Sequence, residues 1–142
     1  MGMSKQTIGK LIDTIGVSII SSVDESGYPN TKAMLPPRKR EGLETLFFTT
    51  NTSSMRVKQF LQNDKASVYF FDKRFFRGVM LIGRMEVLVD QETKNTIWRE
   101  GDSAYYPLGV TDPDYAVLKF STEKVRTYQN FKSETIEIAD TI

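Results

Sequence analysis

The sequence predicts a mainly β, antiparallel fold: a barrel or sandwich of six or seven strands, with short helices at its ends and in its connections. Three observations carry this. Short runs rich in β-branched and aromatic residues recur along the chain, separated by turn signals. One of them is long, with Val79, Leu81, Met85, Val87 and Val89 on one face at the period of two. The regular strand–helix alternation of a doubly wound α/β fold is absent. A chain of 142 residues is long enough for one real core, so residues 1–142 are read as a single domain.

Ile8, Leu11, Ile12 and Ile15 recur at helical spacing, which predicts an amphipathic helix over 4–14, stopped by Gly16. Residues 17–23 read as a strand, "DESG" as a turn, and 28–35 as its hairpin partner, ended by Pro36 and Pro37. "RKREG", 38–42, reads as a polar loop, and 43–50 as a strand. A helix follows, with Ser53 or Ser54 as N-cap and Val57, Phe60 and Leu61 on its apolar face. Residues 66–71 form a strand, "DKRFFRG" a tight connection, and 79–89 the strongest strand. Gly83 lies inside it, on the apolar face, where glycine marks a bulge or a close approach of another backbone or a ligand. Asp90 caps a short helix to about Arg99, and a loop leads to strands at 116–120, 125–130 and 134–138.

Composition excludes several chemistries. The chain has no Cys and no His. Thiolate or imidazole zinc sites, cysteine nucleophiles, redox dithiols and any Ser-His-Asp triad are therefore ruled out within these residues. Chemistry here must use carboxylates, Lys, Tyr or Arg, or a cofactor. The net charge of +1 gives no field pointing to nucleic acid. No apolar run reaches the ~18 residues of a membrane span, and the N-terminus lacks the apolar stretch of a signal peptide. The expectation is a cytoplasmic protein with no membrane or nucleic-acid partner. The hydrophobic fraction, 39%, is low, which suggests a core completed by a partner.

One stretch is electrostatically odd. In "TTNTSSMRVKQFLQND", Arg56 and Lys58 sit in or beside the first helical turn, where the dipole disfavours cations by up to ~1 kcal/mol. A bound phosphate would turn that penalty into an attraction: the turn offers N–H groups and hydroxyls, and Arg56 a planar donor fork. The plain alternative is a solvated face. Lys32, the single charge in "NTKAML", needs a partner if it points inward and is ordinary if it points outward. The aromatics Trp98, Tyr105, Tyr106 and Tyr115 are either a lid on the chain's own core or a surface for a ligand ring or partner subunit.

In chain order, "SSVDESGYPNTKAM", "LFFTTNTSSMRVKQFLQNDKASVYFFD", "LIGRMEVLVDQETKNTIW" and "YYPLGVTDPDYAVLKF" resemble the pyridoxamine 5′-phosphate oxidase-like family, most of all its general stress protein branch. The resemblance spans about residues 9–130. It implies an FMN-binding split β-barrel acting as a homodimer with the flavin at the interface. The family's flavin-contacting strand matches Lys32, Ala33 and Met34, with Lys in place of the usual Arg; Lys binds phosphate as a point charge. Phe48, Thr49 and Thr50 would lie along the ring and ribityl chain. Ser54, Met55 and Arg56 match the phosphate-binding helix start, with Arg in place of Lys. The stretch around Trp98 and Tyr106 resembles the part that reaches the flavin from the partner subunit. No catalytic residue and no metal are implied.

The true oxidases carry a C-terminal segment with Arg and His for their substrate. This sequence holds no His, so a vitamin B6 substrate is not expected. The reading is an FMN flavoprotein of oxidoreductase type acting on a small molecule, with NAD(P)H a candidate donor. The alternatives are a non-catalytic flavin- or ligand-binding stress-response dimer, and a barrel holding a deazaflavin or haem. Haem through the usual axial imidazole is disfavoured by the missing His.

Overall fold

The computed structural model describes residues 2–138. Among them are eight strands and three α-helices: α1 (Lys5–Thr14), β1 (Ser18–Val23), β2 (Pro29–Met34), β3 (Lys39–Glu41), β4 (Thr45–Asn51), α2 (Met55–Gln62), β5 (Lys65–Asp72), β6 (Arg77–Leu88), α3 (Gln91–Ile97), β7 (Tyr115–Gln129) and β8 (Lys132–Glu137). The strands form one sheet in the order β2-β1-β5-β6-β7-β4-β3, with β8 pairing β7, and every pairing is antiparallel. It is the antiparallel split barrel with short flanking helices that the resemblance implies. No helix among the described residues is long and apolar enough to cross a membrane.

Each helix begins where a short polar side chain replaces a missing backbone acceptor. Ser4 Oγ accepts from Thr7 N (3.1 Å), Ser54 Oγ from Val57 N (3.3 Å) and Asp90 from Thr93 N (3.0 Å). Each cap contributes about 1 kcal/mol. α1 turns Ile8, Leu11 and Ile12 into the main core, beside Ile20, Leu46, Phe48, Val68, Phe70, Leu81 and Phe120. The alternation of β4, with Leu46, Phe48 and Thr50 buried and their neighbours half-buried, is the period-two pattern of a strand packed on one face.

Two expectations are corrected. The polar loop at 38–42 contains β3, paired to β4 through Lys39↔Phe47 and Glu41↔Thr45. It has no apolar alternation because it is an edge strand, where charge blunts the unpaired backbone. The two strands expected at 116–120 and 125–130 are one strand of 15 residues. β7 pairs β6 along its length, while its first half pairs β4 and its second half β8. The polar "STE" between the halves holds a bulge. The β6–β7 register passes from Ile82↔Lys124 to Gly83↔Thr122, leaving Glu123 as the extra residue. Gly83 has the close-approach role its position predicts. A Cβ there would lie 2.0 Å from the Ser121 carbonyl oxygen.

The outer face of β1, β2, β5 and β6 carries an apolar row at one end and the Ser21–Thr31 hydrogen bond beside it. Ala33, Ile19, Tyr69 and Met80 line up across four strands. Val17 (45% exposed), Leu35 (55%) and Phe71 (36%) lie beside that row. A free face of an antiparallel sheet is ordinarily polar.

Candidate functional site

The sheet leaves a groove between β2 and the β4–α2 corner, and the sequence explains the corner. β4 ends in Thr49-Thr50-Asn51, and the chain must turn sharply into α2. Asp114, just before β7, organises the turn. Its carboxylate accepts from Asn51 Nδ2 (2.8 Å), Ser53 N (2.9 Å), Thr52 Oγ1 (2.9 Å) and Ser53 Oγ (3.3 Å). These bonds, the Asn51 amide foremost, stabilise the charged form and hold the carboxyl down to about 2. The turn's hydroxyls and amide are therefore spoken for, and Ser54 Oγ is engaged as the cap. Ser54 Oγ accepts there and keeps its own O–H as a donor.

The free cations lie beside the turn. The groove has two compartments that share Lys32 and Arg56. The smaller, a cavity of ≈ 170 Å³, is lined by Ser22, Asn30, Thr31, Lys32, Met55, Arg56 and Gln59. The larger, of ≈ 500 Å³, is lined by Gly16, Val17, Lys32, Ala33, Met34, Leu35, Thr49, Thr50, Asn51, Arg56, Tyr105 and Tyr106. No Asp or Glu lines either. Arg56 Nε is buried and has no hydrogen-bond partner. Burial without a counter-charge disfavours the guanidinium's charged form and lowers its pKa. Lys32 stands across from Ile20, on the side of β2 that faces the core, but at the open end of the groove where it stays exposed. No salt bridge among the described residues uses either cation.

The aromatic loop forms the far wall. Tyr106 is buried and donates from its hydroxyl to the Thr50 carbonyl (3.0 Å), which ties the loop to β4; burial pushes its phenol up. Tyr106, Tyr115, Ile97 and Val117 make a second core on the outer side of β4 and β7, with Trp98 packed edge-on to Tyr115 at 5.2 Å. Tyr115 donates to the Lys94 carbonyl (2.8 Å), and burial, with Asp102 nearby, pushes its phenol up to about 12. Lys94 is itself buried, donating to the Asp112 carbonyl (3.0 Å) over the Tyr115 ring. A bidentate pair anchors the loop: Arg38 Nη1 and Nη2 each reach Asp102 at 2.7 Å, and Arg99 N donates to the same carboxylate at 2.8 Å. Burial pushes the Asp102 carboxyl up, but the Arg38 and Arg99 bonds outweigh it and hold it below the ordinary range.

Of the residues expected at a cofactor site, Lys32, Ala33, Met34, Thr49, Thr50, Met55, Arg56 and Tyr106 line the groove. Three do not. Phe48 is 1% exposed and belongs to the main core. Ser54 serves as cap, and Trp98 supports Tyr106 from behind. Tyr106 lines the groove of its own chain. Sequence reasoning missed Asp114, Gln59 and the Arg38–Asp102 pair. Their partners lie 37 to 64 residues away in sequence, and no local period marks them.

With the geometry in place, the chain can be compared with known proteins. It is similar to a solved protein from Clostridium acetobutylicum related to general stress protein 26, at 34% identity and TM-score 0.88, over 99% of this chain and 100% of that one. It shares its fold with general stress protein 26 from Bacillus anthracis (19% identity, TM-score 0.77, 94% and 98% covered). It also shares it with a haem-binding protein from Mycobacterium smegmatis (13% identity, TM-score 0.73, 96% and 59% covered). No curated protein matches. The family model described as pyridoxamine 5′-phosphate oxidase matches residues 4–129, and the chain belongs to that family.

Proposed function

We propose that the chain is an FMN-binding flavoprotein of oxidoreductase type, working as a homodimer with the flavin at the interface. The single observation behind this reading is the Lys32–Arg56 pair, two cations facing one groove that no carboxylate lines, with Arg56 Nε buried and unpartnered. A buried cation without a partner is costly, and a phosphate dianion removes the cost. The larger compartment has the size range of small-molecule sites and apolar walls suited to a planar ring. Thr49 and Thr50 line the larger compartment and would lie along the ribityl chain. FMN, when bound, would supply hydride chemistry at its N5. The chain's own residues would bind the phosphate, orient the ring and exclude water from it. The apolar row on the outer face supports the dimer. Val17, Ala33 and Leu35 belong both to that face and to the groove rim, so a second copy packed there would close the groove.

A specific observation favours a second reading, a non-catalytic flavin- or ligand-binding stress-response protein. With no His and no Cys in the sequence, the acid–base side chains lining the larger compartment among the described residues are Lys32, Tyr105 and Tyr106 besides Arg56, and the Tyr106 hydroxyl is already bonded. A haem occupant would need Tyr or Met as its axial ligand.

Flavin fluorescence tests the proposal. Titration of the wild type with FMN and riboflavin is expected to favour FMN by about tenfold or more, and Arg56→Ala should remove most of that preference. No binding of FMN, or equal affinity for both flavins with the variant unaffected, would overturn it. Turnover with NAD(P)H and a panel of acceptors separates the oxidoreductase from the carrier. Sedimentation as a monomer at micromolar concentration would remove the interface.

A further inference from the structure

We infer that Gln59 is a third anion donor in the smaller compartment, and that with Lys32 and Arg56 it makes that compartment selective for the phosphate of a monoester. The inference rests on the flavin reading for the identity of the ester, but not for the anion. Gln59 lies on the buried face of α2, one helical turn after Arg56, at the spacing that puts i and i+3 side by side. It is 8% exposed, unusual for a glutamine in an eight-residue helix whose opposite face meets water. Its side chain is fixed from one side: Ser22, buried on β1, donates its hydroxyl to Gln59 Oε1. That bond uses the amide's oxygen and sets its plane, so Nε2 points away from Ser22. Nε2 makes no hydrogen bond among the described residues, and Gln59 lines the compartment.

The other polar groups there are arranged differently. The Asn30 amide nitrogen is taken by Asp24 Oδ2 (3.0 Å) and the Tyr28 carbonyl (3.0 Å). Thr31 and Ser21 share a hydrogen bond of 3.0 Å on the outer face. Three uncommitted donors remain, on Lys32, Arg56 and Gln59, with no carboxylate to meet them. A neutral ligand group would leave the two cations unmatched. A carboxylate brings one negative charge to two cations. A phosphate monoester has three terminal oxygens and matches the set in number and charge. Ser22 is then a positioning residue, acting through Gln59.

The experiment uses full-length protein labelled with ¹⁵N. The Gln59 Nε2 and Arg56 Nε resonances are followed during titration with FMN, riboflavin and inorganic phosphate, and flavin affinities are measured for wild type, Gln59→Glu and Gln59→Leu. FMN and phosphate should move both resonances, and riboflavin should leave Gln59 in place. Gln59→Glu keeps the side chain's size and an acceptor for Ser22 while setting one carboxylate against the two cations. FMN affinity should fall about tenfold or more in this variant, with riboflavin affinity within about twofold. Gln59→Leu should fall in the same direction by less. If phosphate moves both resonances while FMN does not bind, the anion compartment stands and the flavin reading fails. If FMN binds with Gln59 unmoved, or both variants keep the wild-type ratio of FMN to riboflavin affinity, this inference fails and the flavin reading stands. If neither ligand moves Gln59, the compartment is a packing gap and the inference is overturned.

Discussion

Replacing Asp102 by alanine should destabilise the protein by about 3 kcal/mol and loosen the wall of the groove. The size follows from the burial of the pair. The side chains of Arg38 and Asp102 are 11% and 5% exposed, and both guanidinium bonds are 2.7 Å long. Removing one partner of a buried ion pair leaves an uncompensated charge and costs about 3–5 kcal/mol. The lower end applies because Arg38 retains some access to water. The Arg99 N–H also loses its acceptor, an additional cost of about 1 kcal/mol at most because Arg99 is exposed. For a domain of this size, about 3 kcal/mol corresponds to a melting temperature lower by roughly 10 °C. Calorimetry of the wild type, Asp102→Ala, and the double variant Arg38→Met/Asp102→Leu is the assay. The double variant should recover much of the loss, because two apolar side chains leave no stranded charge. Arg84→Ala, which breaks only the exposed contacts with Asp64 and Glu123, sets the scale of a surface pair at about 1 kcal/mol or less. If Asp102→Ala melts within about 2 °C of the wild type, like Arg84→Ala, the pair is not an anchor and the reasoning fails. In the reading given above, Asp102→Ala also weakens ligand binding, since the loop it anchors carries Tyr105 and Tyr106.

The bulge, the free cation and the turn each yield a prediction. Gly83→Ala should cost about 3 kcal/mol in urea unfolding, because a Cβ 2.0 Å from a backbone carbonyl cannot be relieved by a side-chain rotation. Arg56→Met should raise the stability of the ligand-free protein by up to about 1 kcal/mol while impairing binding, since the arginine is held desolvated without a counter-charge; a lower melting temperature would argue that Arg56 has a structural partner. Asp114 is depressed to about 2 from 3.8, so its contribution is complete above the unfolded value and is lost as pH falls through the folded one. Asp114→Asn should therefore flatten the acid limb of the stability curve between 3.8 and about 2, and an unchanged limb would remove the turn's dependence on this carboxylate.

Much of this protein is written locally. The periods of α1 and β6, the Ser4, Ser54 and Asp90 caps, the "DESG" turn and the special position of Gly83 follow from side-chain size, branching and hydrogen-bonding groups within a few residues of each other. So does the oddity of Arg56, because a cation at a helix start is a local electrostatic cost. The sequence by itself also limits the chemistry: without His or Cys, it falls to carboxylates, Lys, Tyr or Arg, or to a cofactor. Tertiary structure decided what depends on partners far along the chain. β3 exists because β4 offers it an edge, and β7 runs unbroken because β6, β4 and β8 all pair with it and a bulge absorbs the extra Glu123. Phe48 faces the core rather than the groove because the register of β4 on β7 sets its side. Asp114 engages turn donors that sequence alone left free, so the anion position proposed above rests on the side chains of Lys32, Arg56 and Gln59. That last choice could not be read from the chain in order, since a carboxylate satisfies whichever donors the fold brings within 3 Å of it.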